Sequence, residues 1–155
     1  MISQERKSFM TYNNNLETGR LLRECDAGIK MGISSLDDML SKAADPELEQ
    51  LLSDSKQEHI ALRAKAETQL NRIKDKGKSP NPIAKAMATV KTELTMMTGN
   101  DSDAARLIAD GCEKGIRSLN KYLGQYPNAD VQSRQLTSEI ISAEQRLISQ
   151  LDKFR

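Results

Sequence analysis

A chain of 155 residues is the size of one domain with a single core, and 23 Lys and Arg against 22 Asp and Glu leave no electrostatic footprint for nucleic acid or an anionic membrane. Aromatic residues make up only 3%, too few for a base-stacking surface, and two cysteines do not make a disulfide framework. The apolar residues are chiefly Leu, Ile, Ala and Met set among interspersed charges, a mixture that suits helices with one solvated face, so the expected class is all-α. With neither a signal-peptide core nor a membrane-length apolar stretch, the expected location is the cytoplasm, with both thiols reduced.

In chain order, Met1 to Tyr12 are mixed and run into Asn13-Asn14-Asn15, a poor helix interior but a good cap, so residues 1–15 read as a loosely attached lead-in. From Leu16 a stripe of Leu22, Cys25, Ile29, Ile33, Leu36 and Leu40 predicts the first bundle helix. Gly28 and Gly32 lie beside the stripe, and since each costs about 1 kcal/mol relative to Ala, the expected reason for them is close approach by a neighbouring backbone. Asp45-Pro46 starts a second helix, with Asp45 as cap and Pro46 at the first position. Its stripe runs through Leu48, Leu52, Ser55, His59, Leu62, Ala66, Leu70 and Ile73 toward Lys76, completing a hairpin over 16–76.

Gly77, Pro80 and Pro82 then interrupt the pattern. Ile83, Met87, Val90, Leu94 and Met97 predict a fifth, amphipathic helix inside a crossover spanning 77–100, and such a crossover makes the second and third bundle helices parallel. The Met residues here read as the adaptable underside of that helix rather than as soft metal ligands. The third bundle helix, from about Ser102, buries Ala105, Ile108, Cys112, Ile116, Leu119 and Leu123, with Gly111 and Gly115 flanking Cys112. After a turn at Pro127 to Asp130, the fourth turns Leu136, Ile140, Ala143, Leu147, Leu151 and Phe154 inward, closing a hairpin over 101–155 and a single bundle over 16–155.

The two hairpins align with each other. Cys25, Asp26, Gly28, Ile29 and Lys30 fall over Cys112, Glu113, Gly115, Ile116 and Arg117; further on, Ala44-Asp45 falls over Ala129-Asp130, Asp54 over Glu139 and His59 over Glu144. This reads as an internal duplication. The run Ser102 to Arg117, the segment Pro82 to Met97 and the early Leu21 to Gly28 resemble an uncharacterised bacterial family of small ferritin-like four-helix bundles, a domain of unknown function with Pseudomonas representatives. The resemblance covers nearly the whole chain from Leu16 and implies a ferritin-like bundle with a long crossover.

A di-iron bundle needs a Glu from each of two helices and a Glu-x-x-His from each of the other two. Asp26 and Glu113 could stand for the single carboxylates. Three residues before His59, however, stands Lys56, and the acids Asp54 and Glu139 lie five residues before His59 and Glu144, about 140° round the helix. The di-iron pattern is therefore degenerate.

A different site would draw Cys25, His59, Cys112 and Glu144 from four helices at one height, giving tetrahedral zinc or iron, with Asp26, Glu113 and Glu139 as alternates. The competing expectation is that both cysteines are core residues and that His59 hydrogen-bonds to Glu144 or Ser55. Asp37 with Asp38, and Asp54 with Glu58, read as a solvated face rather than acid–base pairs. No catalytic residue, bound cofactor, nucleic acid or membrane is expected. The expected function is a non-enzymatic bundle for stress response, scaffolding or protein interaction, including self-association; the alternative is a metal-binding protein.

Overall fold

The computed structural model describes residues 3–73 and 99–155, and every described regular element is helical. Helix α1 is Gln4–Leu40, α2 Pro46–Arg72, α3 Asp101–Gln125 and α4 Val131–Leu151, followed by a 3-10 turn at Asp152–Phe154. Four capping side chains start these helices. Ser3 accepts from the Arg6 N–H, Asp45 from Glu47, Asn100 from Asp103 and Asp130 from Ser133, each satisfying an amide that the first helical turn leaves unpaired. Asp45 and Asp130 thus do the same work in the two hairpins. The expected fifth helix lies outside the described residues, as do Lys74 to Lys76 at the expected end of α2.

One local expectation fails. Helix α1 does not wait for Leu16 but runs unbroken through Asn13-Asn14-Asn15 from its cap at Ser3. Asparagine costs a helix interior only a few tenths of a kcal/mol, about 0.5 or so each, and unlike proline it neither lacks the N–H nor clashes with the preceding turn. A helix already anchored by packing from Thr18 onward can carry three of them.

The direction of each helix follows from contacts at the two ends. At one end the Asp101 carboxylate accepts the Ala44 and Asp45 N–H groups at 3.0 and 2.8 Å, so the start of α3 sits against the α1–α2 turn. Lys153 there reaches Glu47 at 3.0 Å, placing the end of α4 beside the start of α2. At the other end Thr18 Oγ1 accepts the Asp130 N–H at 2.8 Å, and Arg72 pairs with Asp130 at 2.8 Å. Helices α2 and α3 therefore run parallel, while each hairpin is antiparallel within itself. Helix α1 packs on all three others, and α4 packs on α2 and α3 as well.

Most stripe positions read from the sequence lie in the core, whereas Ile33, Leu40, Ile73, Ile116, Leu123 and Phe154 are only half-buried. Leu36, Met39, Leu48, Leu52, Ile108, Leu147 and Leu151 form one apolar cluster with the small residues Ala104, Ala105 and Ala109, which let α3 approach closely. Leu22, Ile29, Leu62, Leu70, Leu119, Leu136 and Ile140 form a second cluster nearer the Thr18 end. Each fully buried Leu or Ile contributes about 1.5–3 kcal/mol relative to exposure. Between the clusters lies a polar layer, His59 and Glu144.

Candidate functional site

His59 is 2% exposed, on the inner stripe of α2. Its Nδ1 lies 2.7 Å from the Ser55 carbonyl oxygen one turn earlier. A carbonyl only accepts, so Nδ1 carries a proton and donates. Across the bundle Nε2 lies 2.5 Å from Glu144 Oε1 on α4. Burial alone would lower the His59 pKa, but the Glu144 hydrogen bond and charge, the Ser55 carbonyl and the Glu58 charge outweigh it and leave the pKa raised from the ordinary 6.5. The imidazolium form is the one this setting favours.

Room for the ring comes from α1. A Cβ added at Gly32 would stand 2.9 Å from His59 Cδ2 and 3.2 Å from Nε2. The expectation of a close backbone approach is thus corrected: Gly32 admits a side chain, and Gly28, Gly111 and Gly115 face open space, with nothing within 4 Å of an added Cβ.

Glu144 also takes Cys112. The Cys112 thiol is held above its ordinary range by burial first, then by the Glu144 charge and by donating a hydrogen bond to that carboxylate. His59, Glu144 and Cys112 therefore meet. Cys25 does not join them: its Sγ lies 3.2 Å from Thr137 Oγ1 in the other core cluster. Thr137 spends its proton on the Ser133 carbonyl at 2.8 Å, so the Cys25 thiol is the donor, and burial pushes its pKa to about 12.

Thr137 and Glu144 are seven residues apart on α4, so the two cysteines sit about 10 Å apart in height. The reason lies in chain direction. Helices α1 and α3 are antiparallel, so Cys25 and Cys112 fall at different heights, whereas His59 and Glu144 meet near the middle.

The alternate carboxylates are elsewhere. Asp26, buried between α1 and α2, pairs with Lys30 at 2.8 Å and stands 3.8 Å from Arg63. Glu139 is exposed and pairs with Lys65 at 2.9 Å, and Glu113 is exposed on α3. Among the described residues, no group of three or more His, Cys, Asp or Glu has the spacing of a metal site. An outer groove of about 920 Å³ between α2 and α4 is crossed by the ion pairs Glu58–Arg146 and Lys65–Glu139. Sequence reasoning passed over the buried polar pair Thr137 and Ser133, whose only signal was their helical spacing with Leu136 and Ile140.

A further feature sits outside the core. The first 14 residues of α1, Gln4 to Glu17, precede the first buried residue, Thr18, and extend about 21 Å. On them Phe9 is 64% exposed, Met10 50% and Tyr12 65%. No described helix is long and apolar enough to cross a membrane.

Comparison with protein-family models, with curated proteins and with solved structures returned no match for this chain.

Proposed function

We propose that the chain is a non-enzymatic helical bundle of ferritin-like organisation, with the di-iron ligand pattern degenerate, that works by binding another protein through the exposed start of α1. The observation that carries this reading is the display of Phe9, Met10 and Tyr12 on a helix that has left its own core. A free helix of this length is marginal in water, and large apolar side chains displayed on a helical face are how partner helices and grooves are engaged. The parallel run of α2 and α3 supports the ferritin-like organisation, since it is what one long crossover produces. Stress-related and scaffolding roles belong to this class.

The test is photo-crosslinking in the host cell, with benzoylphenylalanine placed at position 9 or 12 and, as a control, at exposed position 113. A discrete protein adduct from 9 or 12 and none from 113 is the expected result; no adduct from either position sinks the reading.

A second reading, a metal-binding protein, is favoured by one observation. The Nδ1–H of His59 is anchored on a carbonyl, as is usual for metal-ligating histidines, with Glu144 and Cys112 beside the free ring face. A metal there would have to open the 2.5 Å contact between Nε2 and Glu144, and Cys25 could not reach it. Zinc or iron content of untagged protein, compared with His59→Ala and Cys112→Ser, decides it: near-stoichiometric metal lost in both variants supports this reading, and metal-free wild type removes it.

A further inference from the structure

Short turns set the register inside each hairpin but not between the two. Ser41 to Asp45 join α1 to α2 and Tyr126 to Asp130 join α3 to α4, five residues in each case. The hairpins are joined to each other through residues 73–100, a length that leaves their relative height to side chains.

Most of the contact between the hairpins is apolar. Cores of Leu, Ile and Ala tolerate rearrangement and lose uniqueness before they lose stability, because a slip of one turn exchanges one apolar side chain for another. The mid-bundle layer is different. Gly32 of α1 and His59 of α2 lie in one hairpin, Cys112 of α3 and Glu144 of α4 in the other. The 2.5 Å contact from His59 Nε2 to Glu144 Oε1 crosses from hairpin to hairpin, with only 3% and 14% of the two side chains exposed.

If one hairpin slid by a turn, about 5.4 Å, Ile140 or Leu147 would take the place of Glu144 beside the ring. Both are buried and apolar, so imidazole and carboxylate would each lose its partner away from water. Ion pairs and hydrogen bonds at the bundle ends hold the same height, but Asp101 with Ala44, Arg72 with Asp130 and Lys153 with Glu47 are exposed, where water can replace them.

We infer that the His59–Glu144 contact is a register lock: it selects one height of the α1–α2 hairpin against the α3–α4 hairpin from among those that apolar packing alone allows. Buried polar groups used in this way fix an arrangement at a cost in stability relative to a well-packed apolar pair. Gly32 completes the lock by admitting the ring. The lock is independent of what the start of α1 binds.

The experiment measures one distance across the hairpins of the full chain by pulsed dipolar electron paramagnetic resonance. Nitroxides are attached through Asn71→Cys on α2 and Gln150→Cys on α4, both exposed and near opposite ends of the bundle, so a one-turn slip changes their separation by about 5 Å. Mass spectrometry verifies that only these two thiols take label, and circular dichroism that each variant is folded. Without further change a single distance is expected. His59→Leu with Glu144→Leu is expected to keep a urea midpoint at or above that of the parent and to add a second population displaced by about 5 Å. His59→Leu with Glu144→Ala, which leaves more room, is expected to do the same if the larger pair overfills the layer. His59→Gln with Glu144→Gln can still hydrogen-bond across the hairpins and is expected to keep the single distance.

A single unchanged distance in the folded apolar variants overturns the lock. Failure of both to fold also overturns it, since the layer would then supply stability rather than choose a height. A doubled distance in the Gln pair overturns it as well, by tracing the loosening to repacking instead of lost pairing.

Discussion

Gly32 on α1 and His59 on α2 fit each other as socket and ring: a methyl group on the glycine would come within 2.9 Å of the imidazole, which is held on its other side by Glu144. Gly32→Ala gains about 1 kcal/mol of helix propensity but drives the ring off a buried charged partner, a loss of about 3 kcal/mol or more when such a pair is broken outright. The net expectation is destabilisation by about 1–3 kcal/mol. Gly28→Ala, which meets no neighbour, should stabilise by up to about 1 kcal/mol. Urea unfolding of the two variants checks the contrast, and equal effects would mean that the ring has room to move.

The charge state of His59 gives stability a pH dependence of definite sign. Its folded pKa is raised above the ordinary 6.5, so the pair with Glu144 contributes fully below that value and its contribution is lost as pH rises through the folded pKa. Unfolding free energy should therefore fall as pH climbs from about 6.5 upward, and the gap between wild type and His59→Gln should narrow over the same window. A gap that widens with rising pH would contradict the pairing.

Both thiols should be inert while the chain is folded. Cys25 is buried with its pKa pushed to about 12, and Cys112 is buried against a carboxylate, so neither offers a thiolate at neutral pH. Reaction with Ellman's reagent is expected at the rate of global unfolding and to release two thiols in urea. Fast modification of either in the native protein would place it nearer solvent than described.

Asp101 should matter more than its position at a helix start suggests. Its two carboxylate oxygens accept the Ala44 and Asp45 amides of the opposite hairpin, and Asp101→Ala leaves both without a partner. The expected loss is about 2 kcal/mol, with Asp101→Asn costing roughly half because one acceptor remains. Amide exchange at Ala44 and Asp45 should quicken in step; unchanged exchange would show that water replaces the carboxylate without cost.

The helices were legible in the sequence where one apolar stripe faced one neighbour. On α2 every stripe position from Leu48 to Leu70 is buried. On α1 the stripe captured Leu22, Cys25, Ile29 and Leu36 but missed Leu21, Ala27 and Met39, because α1 touches all three other helices and buries more of its circumference than one stripe describes. A hydrogen bond from His59 to Glu144 or Ser55 was one of the alternatives legible in the sequence, and the ring contacts both. The separation of Cys25 from Cys112 was not, since spacing along a helix gives phase around it but no height relative to an antiparallel neighbour. Gly32 was seen as a place of close approach, and only the structure shows that an imidazole does the approaching.

At each end of the bundle, the turn of one hairpin is finished by the other. Asp101 holds the α1–α2 turn, while Thr18 and Arg72 hold Asp130 in the α3–α4 turn. Each hairpin therefore completes part of the other's bend, which couples the formation of the two. Synthesised as separate peptides covering 3–73 and 99–155, each would be a frayed pair of helices alone, and mixing them would restore both bends in a single concentration-dependent step.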